Sequence, residues 1–165
     1  MRVGVRLGID AGKARIGVAR SDPHGMLATP IETVRRDSGG EADVARIAEL
    51  VAEYEAFELI VGLPLNMRGE RTPSTEDAAN FADQLARKLA GQVQVRLVDE
   101  RLSTVSAQGQ LHQVGKRTKE SRSVIDQAAA VVILQHALDI ERNRDEPPGT
   151  LVEATFDDES NGDSK

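Results

Sequence analysis

Residues 3–20 read VGVRLGIDAGKARIGVAR. This stretch predicts the first two strands of the sheet, to which the later elements are added. Apolar residues alternate with others over residues 3–9, which is the period of a strand with one buried face, and a second apolar run covers residues 16–20. The turn between the two runs contains Gly12, which can adopt the backbone conformations of a tight reversal. The stretch therefore predicts a β-hairpin with Asp10 at the end of its first strand.

The residues that follow predict a third strand and then alternating helices and strands. In order, these are a strand at 27–34, a helix at 44–54, a buried strand at 59–61, a helix that begins at Thr72-Pro73, a strand at 93–97, a short helix from Ser103 or Thr104 to near Gly115, and a last helix that includes 128–134. This order predicts an α/β domain, a mixed five-stranded sheet with helices on both faces. In such sheets, ligands bind beyond the carboxyl ends of the strands.

Length and composition exclude several classes of protein. With 165 residues the chain is long enough for one domain and too short for two of ordinary size. It contains no cysteine, which excludes disulfides, thiolate nucleophiles and cysteine-based zinc or iron–sulfur sites. Residues 1–10 form neither the apolar core of a signal peptide nor a spanning segment. We therefore expect a protein that is neither exported nor embedded in a membrane, without a membrane partner.

The formal net charge of −6 comes from the C-terminal segment. Seven of the 27 acidic residues and one of the 21 basic residues follow residue 144, so residues 1–144 contain 20 of each. A domain without net charge can still place a basic surface beside an acidic site, so nucleic acid is not excluded as a partner. We expect one domain at 1–144 and an acidic, disordered tail at 145–165.

Four acidic residues lie where predicted elements begin or end. Asp10 ends the first strand, Asp99 and Glu100 end the fifth, and Asp126 lies in the first turn of the last helix. If they converge, they repel one another unless a cation neutralises them, and oxygen ligands select Mg²⁺ or Mn²⁺. Such ions can catalyse phosphodiester cleavage. The alternative is that each acid has an ordinary role, in a turn or beside a helix dipole.

The choice between the two adjacent acids depends on strand alternation. Asp99 continues the alternation of Val93, Val95 and Leu97, which are expected to face the core. Glu100 then faces the other way. If the acids converge on a metal, Asp10, Glu100 and Asp126 are therefore the expected catalytic acids and metal ligands, with Asp99 as a further candidate ligand.

Four motifs, in their order and spacing, resemble the YqgF family, which is also called RuvX. They are LGIDAG with RIGVA at 7–19, VGLP at 61–64, DERLST at 99–104 and DQAAA at 126–130. The resemblance covers about residues 5–140, and it implies an RNase H-like fold and a cytoplasmic nuclease. The substrate it implies is the 5′ end of the precursor of 16S ribosomal RNA, with four-way DNA junctions (Holliday junctions) as the other candidate.

The resemblance also assigns residues. By position, Asp10, the pair Asp99-Glu100 and Asp126 match the catalytic acids of the family. One departure lies in the first motif, where the family has a basic pair before Ile-Gly. Here Ala14 precedes Arg15, and the lysine stands one residue earlier.

Basic and amide side chains are the candidates for contact with a nucleic-acid backbone. Lys13 and Arg15 flank the first turn, Asn66 lies on a loop after the fourth strand, and Arg101 follows the acidic pair. The strongest candidate for a backbone-binding patch is a basic run further along the chain. The alternative is that this run is a charged loop exposed to solvent. The run contains Lys116, Arg117, Lys119 and Arg122. Few aromatic residues are present, so we expect recognition of backbone and shape, without base stacking.

Three functions remain open on the sequence. The first is a metal-dependent nuclease that acts on precursor ribosomal RNA or four-way DNA. The second is an RNA-binding ribosome-assembly factor that keeps the fold without catalysis. The third is an ATP-binding protein of the actin and sugar-kinase group, whose first phosphate loop is similar to residues 10–19, but the chain has no second phosphate loop or domain. We expect the nuclease, as a monomer or a homodimer, since paired nicks in a DNA junction need a two-fold dimer.

Overall fold

The computed structural model describes residues 1–100 and 119–154, with the side chains of 119–123 left aside. The elements in chain order are β1 (Val5–Ala11), β2 (Arg15–Ser21), β3 (Ala28–Arg35), α1 (Ala42–Tyr54), β4 (Ala56–Leu63), α2 (Pro73–Lys88), β5 (Gln94–Asp99), α3 (Lys119–Arg144) and β6 (Thr150–Leu151). The short helix predicted between residues 103 and 115 lies outside the described residues.

The six strands form one mixed sheet in the order β3-β2-β1-β4-β5-β6. β1, β4 and β5 are parallel to one another, whereas β2, β3 and β6 are antiparallel to their neighbours. The predicted hairpin is present, with Asp10 of β1 paired to Gly17 of β2. Because the three central strands are parallel, their carboxyl ends meet at one end of the sheet, which we call the carboxyl end. The predicted α/β fold class is confirmed.

Helices cover the sheet on both faces. Leu7 and Ile9 of β1 belong to the core beneath α1 and α2, and a second core lies beneath α3. Gly8 faces α3 so closely that a Cβ atom on it would lie 2.7 Å from the Cβ atom of Leu134. Since side chains alternate along a strand, Asp10 shares the α3 side with Gly8. None of the described helices is long and apolar enough to cross a lipid bilayer.

The sixth strand comes from the segment predicted to be a disordered tail. Thr150 and Leu151 pair with β5, and the backbone N–H of Val152 donates to the Val95 carbonyl at 2.8 Å. Arg96 also donates to the Pro148 carbonyl at 3.2 Å. Disorder from residue 145 is therefore the wrong expectation for residues 145–154. The segment is acidic overall, but it contains the short apolar stretch Leu151-Val152, which pairs with the open edge of β5.

A buried network of ion pairs closes the opposite end of the sheet. Glu58 of β4 and Glu141 of α3 are almost fully buried, and Arg2 binds both, at 2.8 and 2.9 Å. Arg6 adds a contact of 3.2 Å to Glu141, and Arg96 one of 3.1 Å to Glu58. Burial acts to raise the pKa of Glu141, but hydrogen bonds from Arg2 and the charge of Arg6 outweigh it and lower that pKa to about 2.

Replacing Glu141 with glutamine tests this network. The change leaves the buried guanidinium of Arg6 without its anion, so we expect Glu141→Gln to lower the free energy of unfolding at pH 7 by about 3 kcal/mol. The pKa of Glu141 is lower in the folded state than its ordinary 4.5, so its contribution is complete above pH 4.5 and is lost as the pH falls towards 2. Urea unfolding at both ends of that range measures the effect.

The exposed residue Glu53 provides the matched control for this measurement. Glu53→Gln removes the same charge from the surface of α1, and we expect a change of less than about 0.5 kcal/mol. Equal effects of the two substitutions at pH 7 would contradict a stabilising role for the network.

Candidate active site

Asp10 lies at the carboxyl end of the central strand β1, one residue before the strand ends at Ala11. It is partly buried and faces α3. Its neighbour across the hairpin is Gly17. A glycine at this position leaves the space over the strand pair open, and α3 uses that space.

Asp126 lies near Asp10 because α3 packs directly on Gly17, the partner of Asp10 across the hairpin. A Cβ atom on Gly17 would overlap the backbone carbonyl of Asp126. The next residue, Gln127, donates from Nε2 to Thr33 Oγ1 at 3.1 Å, which fixes the helix over β3 as well. Asp126 lies in the third turn of α3, because the helix begins at Lys119. The prediction that it lies in the first turn is wrong, because Lys119 and Arg122 before it belong to the helix as well.

Glu100 approaches from the other side of Asp10. Its backbone N–H donates to the Leu63 carbonyl at 3.2 Å, so it continues the alignment of β5 with β4 by one residue. The side chain is buried and lies over Gly62, where a Cβ atom would overlap its carboxylate. Asp99 is exposed and, by strand alternation, faces the opposite side of the sheet.

Glu100 and Asp126 act electrostatically on Asp10. The pKa of Asp10 is raised to about 7, first by burial and then by the negative charges of Glu100 and Asp126. The structure thus brings Glu100 and Asp126 near Asp10, which precedes them by 90 and 116 residues in the chain. A group of this kind favours a positive charge nearby, because a cation stabilises the ionised form of Asp10, which burial and the two neighbouring charges disfavour.

Among the described residues, Arg15 is a cationic group that contacts this cluster. Its Nε atom donates to Asp126 Oδ2 at 2.7 Å. Within the described part of the chain, no three acidic or histidine side chains are arranged as a complete metal cluster. The donor set itself fits Mg²⁺ or Mn²⁺, since all its ligands are carboxylate oxygens and Asp10 has a raised proton affinity.

The other predicted residues divide into three groups. Lys13 is exposed at the hairpin turn beside the cluster. Asn66 shapes its own loop, since its Oδ1 atom accepts from the backbone N–H groups of Arg68 and Glu70. Arg101, Lys116 and Arg117 lie outside the described residues, as do the side chains of Lys119 and Arg122.

Arg36 is a residue at this end of the sheet that the sequence did not single out. Its Nη1 atom donates to the Gly12 carbonyl at 2.7 Å and to Asp77 Oδ2 at 3.0 Å. Its guanidinium also lies over the ring of Phe81, 4.8 Å from the centroid. Arg36 therefore ties the turn after Asp10 to α2. Nothing in the spacing of the sequence distinguishes it from its exposed neighbour Arg35.

Comparison with known proteins identifies the family. The family model described as RuvX, Holliday junction resolvase, matches residues 4–140. The chain belongs to the RuvX family. The match includes Asp10, Glu100 and Asp126, and the resemblance predicted from the four motifs is confirmed.

Relatives within the RuvX family match nearly the whole chain. A Clavibacter sepedonicus protein named "Putative pre-16S rRNA nuclease" is 60% identical over 152 residues, which are 92% of this chain and 93% of that protein. A Thermobifida fusca protein of the same name is 55% identical over 162 residues, 94% of this chain and 99% of that one.

A solved structure of RuvC from T. thermophilus, in complex with a Holliday junction substrate, shares the fold of this RuvX chain. The TM-score is 0.54 at 19% sequence identity, over 87% of this chain and 99% of that one. This likeness supports the RNase H-like architecture alone, because the identity is low.

The raised pKa of Asp10 predicts that ionisation of this side chain lowers the stability of the RuvX chain. Between pH 3.8 and about 7 the folded protein binds more protons at Asp10 than the unfolded chain does, so stability falls as the pH rises through that range. Asp10→Asn removes the charge. We expect its Tm, measured in EDTA at pH 8, to exceed that of the parent by about 3–6 °C.

The gain should shrink at pH 5, where Asp10 of the parent is protonated. Glu53→Gln again provides the surface control, with no expected change in Tm at either pH. A Tm for Asp10→Asn below that of the parent at pH 8 would show that the ionised carboxylate stabilises the fold, contrary to this electrostatic picture.

Proposed function

We propose that this chain is a divalent-metal-dependent nuclease, a hydrolase of phosphodiester bonds, whose metal ligands are Asp10, Glu100 and Asp126. The observation that carries the proposal is the electrostatic coupling of these three acids at the carboxyl end of the sheet. Membership of the RuvX family supports it, since the family model is described as a resolvase and the named relatives as nucleases.

The acids fit the requirements of this reaction. When bound, Mg²⁺ or Mn²⁺ supplies activation of water and stabilisation of the leaving oxygen in phosphodiester cleavage. Gly17 and Gly62 let Asp126 and Glu100 approach without intervening side chains. Glu100 is buried, and burial in a medium of low dielectric constant strengthens the interaction of its charge with a cation.

The chain's own cations are suited to holding the substrate. Lys13 lies exposed on the turn next to Asp10, and Arg15 lies at the start of β2. Positive side chains beside the acids attract and orient the phosphate backbone. Arg36 supports this arrangement as a positioning residue, because its hydrogen bond to Gly12 fixes the turn that carries Lys13.

The proposed substrate is precursor 16S ribosomal RNA, on the strength of the names of relatives at 55% and 60% identity. With ribosomal RNA as its substrate, we propose that the chain acts in the cytoplasm. The second candidate is a four-way DNA junction, which the description of the family model favours. Cleavage of such a junction by paired nicks needs a two-fold dimer, whereas trimming of an RNA end needs only a monomer.

A side-by-side cleavage assay tests the proposal. Precursor 16S RNA and a four-way DNA junction are each incubated with the protein in Mg²⁺, in Mn²⁺ and in EDTA. We expect cleavage of the RNA that requires the ion and falls at least about 100-fold in Asp10→Asn and Asp126→Asn, equivalent to ~3 kcal/mol of transition-state stabilisation. Glu53→Gln should cleave like the parent.

Persistent cleavage in both aspartate variants would contradict this site. Absence of cleavage in the parent, with RNA bound equally by parent and variants, would favour an assembly factor without catalysis. Preferential cleavage of the DNA junction would assign the second substrate.

The adjacent acids give a second test within the same assay. Glu100 is buried on the side of Asp10 and Asp126, whereas Asp99 is exposed and faces the other side. We therefore expect Glu100→Gln to lose about as much activity as Asp10→Asn and Asp99→Asn to lose less than about threefold. The reverse order of losses would assign the ligand to Asp99.

A further inference from the structure

Two arginines lie directly opposite each other beside the acid cluster. Arg15 of β2 and Arg35 of β3 are register partners in the antiparallel pair. Two residues along, Gly17 and Thr33 are also partners, and both contact α3, through Asp126 and Gln127. Because side chains alternate along strands, Arg15 and Arg35 share that α3 side of the sheet.

This pairing is electrostatically unfavourable within the protein alone. Like charges directly opposite each other on antiparallel strands destabilise the sheet. Asp126 neutralises Arg15, at 2.7 Å. Arg35 is exposed and makes no ion pair with another described residue. The three side chains therefore keep one uncompensated positive charge next to the candidate metal ligands.

The geometry of Arg15 leaves it able to bind an anion without releasing Asp126. Its Nε atom holds the carboxylate, and its terminal nitrogens make no hydrogen bond to another described side chain. A guanidinium is a planar fork whose donors match the oxygens of a phosphate. Side chains that are directly opposite on antiparallel strands have Cβ atoms about 5 Å apart, so two guanidinium groups can grip one phosphate.

We propose that Arg15 and Arg35 together bind a backbone phosphate of the nucleic-acid substrate, beside the bond that is cut. This inference rests on the proposed nuclease function and adds Arg35 to its binding surface. Through Nε, Arg15 links the bound phosphate to Asp126, so substrate binding and the position of that carboxylate are connected. The clamp contacts phosphate only, so its contribution is independent of base sequence.

The test measures binding without cleavage. A fluorescein-labelled 20-base-pair RNA duplex is titrated with parent, Arg35→Gln and Arg35→Lys in EDTA, at salt concentrations from 50 to 200 mM. Loss of one phosphate contact should weaken the affinity of Arg35→Gln by about three- to tenfold and reduce the slope of log Kd against log salt by about 0.7–0.9. Arg35→Lys should keep the slope and lose part of the affinity, because an ammonium lacks the fork.

Arg144→Gln is the matched control. Arg144 is an exposed arginine in the last turn of α3, at the opposite end of the molecule from the acids. Its replacement removes the same formal charge and should leave the salt slope unchanged. The Tm of Arg35→Gln should equal or exceed that of the parent, because the like-charge pair is gone.

An Arg35→Gln slope equal to those of the parent and of Arg144→Gln would overturn the clamp. Equal reductions in Arg35→Gln and Arg144→Gln would overturn it too, since they would indicate attraction by net charge alone. Neither outcome affects the nuclease proposal, which depends on metal-dependent cleavage and its loss in Asp10→Asn. Conversely, suppose that the parent does not cleave RNA but Arg35→Gln still reduces the salt slope. That result would support the clamp and contradict the nuclease proposal.

Discussion

The burial of Asp10 beside two further carboxylates is the constraint on which the rest of this site depends. Asp10 lies between Glu100 and Asp126 in a partly buried position, and its pKa of about 7 reflects both the burial and the two neighbouring charges. A sheet of three parallel strands and one long helix is needed to hold these acids together. Such an arrangement costs stability in the absence of a cation, which is the usual relation between a preformed site and its fold.

Other parts of the structure offset that cost or make it possible. Gly8, Gly17 and Gly62 form a floor without side chains on which α3 and Glu100 rest. At the opposite end, the ion pairs of Glu58 and Glu141 join β4, β5, α3 and the N-terminal segment. Paired charges thus stabilise the end of the sheet opposite the acids. At the carboxyl end, where a cation and a phosphate backbone are proposed to bind, Asp10 instead has two negatively charged neighbours, Glu100 and Asp126.

The sequence predicted the elements that depend on periodicity, and it predicted that Asp10 and Glu100 lie at the carboxyl ends of β1 and β5. The hairpin of β1 and β2, the parity of Asp99 and Glu100, and the α/β class all follow from alternation and order. The start of α3 and the strand β6 did not, because polar and acidic composition outweighed local pattern in residues 116–126 and 145–154. Arg36 and the pairing of Arg15 with Arg35 depend on register between distant strands, which one sequence does not reveal.

The most direct test of the account is to locate bound manganese. Crystals grown with Mn²⁺ and measured at a wavelength where manganese scatters anomalously should show a peak between Asp10, Glu100 and Asp126, with carboxylate oxygens roughly 2.1 Å away. The same crystals of Asp10→Asn should lose it. A peak bound elsewhere, or none at saturating Mn²⁺ while the protein cleaves its substrate, would contradict the claim that these three acids share a divalent cation.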